Sequence, residues 1–170
     1  MRLFFALWPP VEAARALGEW ANEVCSQTGG RATAPTTIHL TLAFLGEAEP
    51  GGAIAAARKL QQHCKTFNLP VDTAKYWRHN RIVWVGPQAM PEPLRQLAAD
   101  LRRELLLKNF AMEEREFAAH VTLIRKAGPP KSLPPLPSIE WPAREFVLVC
   151  SVPDKERSPH YETLERFLLA

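Results

Sequence analysis

A five-residue pattern occurs twice in this chain. Ile38-His39-Leu40-Thr41-Leu42 returns as Ala119-His120-Val121-Thr122-Leu123, 81 positions later in 170 residues. A repeat spaced at close to half the chain length implies two related lobes about a pseudo-twofold axis. Strand side chains alternate faces with period two, so His39 and Thr41 share one face, about 6–7 Å apart along the strand. Ile38, Leu40, Leu42 and Phe44 then form an apolar reverse face fit to pack against helices. The second copy behaves alike, with His120 and Thr122 on one side and Phe117, Ala119, Val121 and Leu123 on the other.

A single His-x-Thr-Leu reads as a satisfied polar residue on a strand. Two copies, each with an apolar reverse face, point instead to chemistry. One neutral imidazole can take a proton from water while a protonated one gives a proton to a departing oxygen. The unperturbed histidine pKa lies near neutrality, so both states are accessible. The threonine hydroxyls can donate to non-bridging phosphate oxygens, where charge concentrates during displacement. A zinc site is disfavoured, because threonine is a poor zinc ligand and no carboxylate or cysteine sits at ligand spacing beside either histidine. His63, His79 and His160 lack this context and read as structural or solvent-exposed.

The remaining pattern predicts strands over residues 3–8, 38–45, 69–77, 81–85, 117–126, 145–152 and 161–168. The last of these would also suit a short helix. Helices are predicted over 11–26, 53–63 and from Pro91 through Leu94, Leu97, Leu101 and Leu105. Residues 78–81 would form a hairpin turn. The stretch 128–137 holds five prolines and must be an irregular connector. Strands mixed with three helices, without regular β-α-β alternation, give an α+β class.

Composition excludes more than it selects. A hydrophobic fraction of 46% with 23% charged residues fits a globular chain, and a net charge of +3 permits an anionic substrate without requiring one. Cys25, Cys64 and Cys150 are scattered and odd in number, so neither a disulfide framework nor a thiolate zinc site is expected. The apolar N-terminus is too short for a signal peptide or a membrane span, which predicts a cytoplasmic protein.

The paired strands resemble the motifs of the two-histidine phosphoesterase superfamily. More narrowly, the chain resembles the bacterial and archaeal RNA 2′,3′-cyclic phosphodiesterases, also called 2′-5′ RNA ligases. The resemblance rests on residues 2–7 as an opening strand, residues 38–46 as a first motif and residues 120–125 as a second, and it spans nearly the whole chain. It implies one bilobal domain over residues 1–170, with two pseudo-symmetric lobes around a central groove. Each lobe would be an antiparallel sheet with helices packed outside. It also implies no cofactor or metal, His120 as the base, His39 as the acid, and Thr41, Thr122 and Arg125 holding the phosphate. The near-symmetry of the two motifs leaves acid and base unassigned without the resemblance.

The expected partner is RNA with a 2′,3′-cyclic phosphate end, tRNA halves included, acted on by a monomer away from membranes. Ligation through a 2′-5′ bond, another small cyclic phosphodiester, and RNA binding without turnover are the competing readings. Strict alternation would place Arg125 opposite His120, so it reaches the groove only if the strand ends or bulges near Ile124. Arg78, Arg81 and Trp84 form a basic–aromatic cluster near the expected hairpin, where Trp84 reads as a core aromatic. Arg31, Lys126 and Lys131 either line the groove or are solvated.

Overall fold

The computed structural model describes residues 1–170 with the exception of Gln62. Its elements, in order, are β1 (Arg2–Leu7), α1 (Val11–Thr28), β2 (Arg31–Ala32), a 3₁₀ turn (Pro35–Thr37), β3 (Leu40–Glu47), α2 (Pro50–Arg58) and β4 (Phe67–Asn68). There follow β5 (Thr73–Trp77), β6 (Ile82–Gly86), α3 (Glu92–Leu107), β7 (Val121–Arg125), β8 (Pro142–Ala143), β9 (Glu145–Val152) and β10 (His160–Leu168). The class is α+β. Two four-stranded sheets, ordered β10-β9-β1-β3 and β2-β7-β6-β5, and a small β4-β8 pair are antiparallel throughout.

The first sheet separates two environments. In β1, Leu3, Phe5 and Leu7 point into the main core, while Phe4 and Ala6 join Val147 and Val149 on the other face, with Trp8 and Tyr161 packed against them. The continuous apolar run of this strand reflects its central position, buried on both sides. Phe5, Phe146 and Phe167 cluster in the core with ring centroids 5.0–6.0 Å apart. Burying each such ring stabilises the fold by about 1.5–3 kcal/mol. Helices α2 and α3 lie against β10 and β3, whereas α1 lies against β2 and β7. Both sheets therefore carry helices on one face and leave the other for the groove.

Helix α1 buries Ala14, Leu17, Ala21 and Val24 at helical spacing. It stops at Gly29, whose N–H donates to the Cys25 carbonyl at 2.9 Å. Helix α3 presents Leu94, Leu97, Leu101 and Leu105, all fully buried, in the pattern the sequence predicts. The expected extension of α2 to His63 is not formed. The helix ends at Arg58 and turns follow, with Gln62 outside the described residues. The proline-rich connector is irregular and strapped to α1, where the Trp20 indole donates to the Pro134 carbonyl and Gln27 to that of Ser132. Among the described residues no helix is long and apolar enough to cross a membrane.

Both motif strands contain a bulge at the same place. In β3, Ala43 pairs with Phe5 and Thr41 with Ala6, leaving Leu42 as an extra residue. In β7, Ile124 pairs with Val83 and Thr122 with Trp84, leaving Leu123 as the extra residue. Each bulge lies three positions after its histidine and reverses the facing of the residues immediately beyond it, and in β3 a second extra residue, Leu45, follows Phe44. Phe44, expected on the apolar reverse face, is consequently paired with Phe4 on the groove side and is 64% exposed. Arg125 is turned to the groove side by the same device.

Strand β2 is locked against β7 where the chain leaves α1. Gly30 has φ +87°, and a Cβ there would lie 2.4 Å from the Arg125 carbonyl oxygen and 2.8 Å from that of Lys126. Both obstacles are backbone, so Gly30→Ala is expected to cost at least about 2 kcal/mol, read as a drop in urea midpoint. Gly51→Ala, in helix α2 with nothing within 4 Å of the new methyl, is expected to be neutral or to stabilise by about 0.5 kcal/mol. Equal midpoints for the two variants would contradict this account of the β2–β7 junction.

Candidate active site

The two histidines sit just ahead of their strands, His39 before β3 and His120 before β7. Their backbones belong to no ladder at that point, so each ring is fixed by a tether of its own. His39 Nδ1 lies 2.7 Å from the Thr37 carbonyl oxygen, and His120 Nδ1 lies 2.9 Å from that of Ala118. A carbonyl only accepts, so Nδ1 must carry the proton in each ring. The neutral tautomer thereby leaves its lone pair on Nε2, and the cation carries its transferable proton there. Both imidazoles are set to exchange protons through Nε2.

Aromatic walls surround each ring. Around His39 stand Trp8, Phe4 and Tyr161 at centroid distances of 4.9, 5.1 and 5.5 Å. Around His120 stand Trp77 at 4.8 Å and Trp84 at 6.2 Å. Such walls strip water from the imidazolium and favour the neutral form. Burial, reinforced by the charge of Arg125 and of His120, pushes His39 down to about 4. His120 is lowered mainly by burial and also by Arg125. The tethering carbonyls oppose both shifts without reversing them. Arg125 therefore projects its charge onto both histidines.

Thr41 and Thr122 are half-buried on the groove side, paired across their ladders with Ala6 and Trp84. The Thr122 backbone is held from the other edge by the Thr33 hydroxyl, which donates to its carbonyl at 3.1 Å. Beside His120 a cavity of about 440 Å³ opens, lined among others by Thr41, Phe44, Trp77, His79 and Phe117. Among the described residues no group of three or more His, Cys, Asp or Glu side chains could hold a metal ion.

Of the five residues expected from the sequence, Thr41 and His120 line that cavity and His39, Thr122 and Arg125 do not, although Arg125 lies near enough to both histidines to lower them. The aromatic walls lie beyond what the sequence pattern predicts. Trp84, which the pattern assigns to the core, lies half-buried beside His120. Phe44 has a usable signal: it stands five positions after His39, as Arg125 stands five after His120. Tyr161 has none, because only the pairing of β10 with β9 brings it to His39. Arg81, with φ +58°, donates to the carbonyls of Lys126 and Ala127 and so braces the hairpin against the end of β7. His63 and His79 are exposed, and His160 lies 3.6 Å from Glu162 on the surface.

Comparison with known proteins gives consistent results. The family model described as LigT like Phosphoesterase matches residues 7–84. The RNA 2′,3′-cyclic phosphodiesterase of Escherichia coli is 35% identical, over 99% of this chain and 96% of that protein. The protein of the same name from Thermus thermophilus is 34% identical, over 99% of this chain and 90% of its own length. The crystal structure of E. coli LigT in apo form superposes with a TM-score of 0.90 at 32% identity, covering 99% of this chain and 96% of that one. LigT complexed with 3′-AMP gives the same TM-score. This chain belongs to the LigT-like phosphoesterase family.

Proposed function

We propose that this protein hydrolyses the 2′,3′-cyclic phosphate ends of RNA to 2′-phosphomonoesters, with His39 and His120 as its acid–base pair. One observation carries the reading. Two imidazoles, each tethered through Nδ1 to a backbone carbonyl, stand near enough to one arginine for its charge to lower both. Binding alone needs no such matched pair of titratable groups.

In the proposed step, His120 Nε2 removes a proton from water as its oxygen attacks phosphorus. The bond from phosphorus to O3′ breaks, and His39 Nε2–H supplies the proton that O3′ takes up. One water is consumed, and the product carries a 2′-phosphate and a 3′-hydroxyl. Arg125 and the hydroxyls of Thr41 and Thr122 hold the non-bridging oxygens, where charge accumulates. The step draws only on side chains and water. A 5′-hydroxyl in place of water gives ligation of RNA halves, which the same groove would run in the direction set by substrate supply.

In buffer with EDTA, the protein is expected to convert a short RNA ending in a 2′,3′-cyclic phosphate to the 2′-phosphate. His39→Ala and His120→Ala should each lose about 10²–10⁴-fold in kcat, read by product mass and phosphatase sensitivity. The double variant should lose little more than either single one. Wild-type turnover in both variants would sink the mechanism.

The pH profile has a defined sign. An acid with a pKa of about 4 is protonated in roughly one molecule in a thousand at pH 7. Both free histidines sit below 6.5, so kcat/KM should peak between about pH 4 and 6.5 and fall about tenfold per unit above that. A bound phosphate anion favours the imidazolium and should move the kcat bell to higher pH. Arg125→Gln removes a charge that depresses both groups, so both limbs should shift upward while the rate falls. An NMR titration of the imidazole protons checks this independently of turnover, and unshifted titrations in Arg125→Gln would contradict the placement of that charge.

A further inference from the structure

The second motif brings two arginines face to face. Arg31 of β2 pairs directly with Arg125 of β7, as Ala32 does with Ile124. Directly paired residues of an antiparallel ladder share a face, with Cβ atoms about 4.5–5.5 Å apart. The bulge at Leu123 turns Arg125 to the groove side, so Arg31 projects from the same side. Like charges placed opposite each other destabilise a sheet, and nothing among the described residues offsets this pair. Neither guanidinium lies within 4.0 Å of a carboxylate there. Arg81, by contrast, commits its guanidinium to two backbone carbonyls.

The juxtaposition is enforced. Glycine at position 30 lets the chain approach the Arg125 and Lys126 carbonyls more closely than any side chain allows. On the other side the Thr33 N–H donates to the Leu123 carbonyl at 2.8 Å, and its hydroxyl donates to the Thr122 carbonyl. A two-residue strand is thus clamped at both ends with a like-charge pair at its start. A dianionic or twice-charged ligand would offset that repulsion, and a phosphodiester end with a further phosphate is one.

The position of Arg31 separates it from the reacting phosphate. The walls of His120, Trp77 and Trp84, stand on β5 and β6, on the opposite side of β7 from β2. Arg125 lies between, and its charge acts on both histidines. Resting on the proposed hydrolysis of cyclic phosphate ends, we infer that Arg31 binds a second phosphate of the substrate, the one on the 5′-oxygen of the terminal nucleoside, beside the cyclic phosphate at Arg125. The protein therefore discriminates in favour of 5′-phosphorylated ends and oligonucleotides over bare nucleoside cyclic phosphates.

The test compares three substrates: uridine 2′,3′-cyclic phosphate, its 5′-phosphorylated form, and the dinucleotide UpU bearing a 2′,3′-cyclic phosphate. Wild type should show a lower KM for both substrates with the second phosphate. Arg31→Gln should shrink that preference about tenfold, Arg31→Lys should retain part of it, and the slope of log KM against log salt on the dinucleotide should fall by about 0.7. The melting temperature of Arg31→Gln should stay level or rise, since one member of a repelling pair is gone. An equal loss on all three substrates would mean that Arg31 grips the scissile phosphate and overturns the inference. No loss, or a gain confined to the dinucleotide, overturns it too. Failure of wild type on all three substrates overturns the functional reading and this inference with it, whereas turnover without an Arg31-dependent preference overturns this inference alone.

Discussion

An extra residue three positions after each motif histidine decides what the groove contains. Were β7 regular, Arg125 would point with Val121 and Leu123 into the core, where a bare guanidinium is very costly to bury. The extra residue at Leu123 keeps Leu123 and Ile124 both buried and brings Arg125 out on the side of Thr122. Leu42 does the same in β3 and brings out Phe44. Bulges commonly re-aim side chains beside active sites. Here the effect is a groove face made of every second residue up to the threonine and of the third residue after it.

The electrostatics of the groove follow from the rings that enclose its imidazoles. Aromatic rings stand directly against both imidazoles, and burial lowers the histidine pKa values even though Glu113 and Glu116 line the cavity beside His120. Arg125 adds a positive charge in the same direction. Arg125, with no carboxylate within 4.0 Å among the described residues, thus stands near imidazoles that burial holds toward the neutral form. A phosphate anion relieves this arrangement on arrival, raising both histidines toward their working range while meeting the arginine.

Much of this architecture can be read from the sequence because it is carried by local pattern. Helices α1 and α3 bury the residues their 3.6-residue spacing selects, and β9 has the bounds its apolar run suggests. His39, His120, Thr41 and Thr122 are legible because a repeat of five residues is visible without any fold. Phe44 defeats the alternation rule because period two holds only between bulges, and a bulge is set by pairing with the neighbouring strand. The short strands β2, β4 and β8 escape detection for a related reason: two residues carry no periodicity, and their pairing is imposed by Gly30 and by the β9 connection. The aromatic walls come from separate elements spread along the chain, so no single stretch of sequence announces them.

The two motifs are near copies, yet the groove they build is not symmetric. Position five after each histidine is exposed to the same side, and it is an aromatic ring in one lobe and a guanidinium in the other. The charge that depresses both imidazoles comes from Arg125 of β7, while three aromatic rings against two enclose the imidazole ahead of β3 and hold it at a pKa of about 4. A group held that low is a strong acid once it carries a proton, which suits it to the departing O3′ in the proposed mechanism. His120, less enclosed and next in chain to the strand that carries Arg125, is better suited to receive a proton from water beside the phosphate. The two motifs share the tether and the bulge. The proposed division of labour between the two histidines rests on the surroundings in which the two motifs differ.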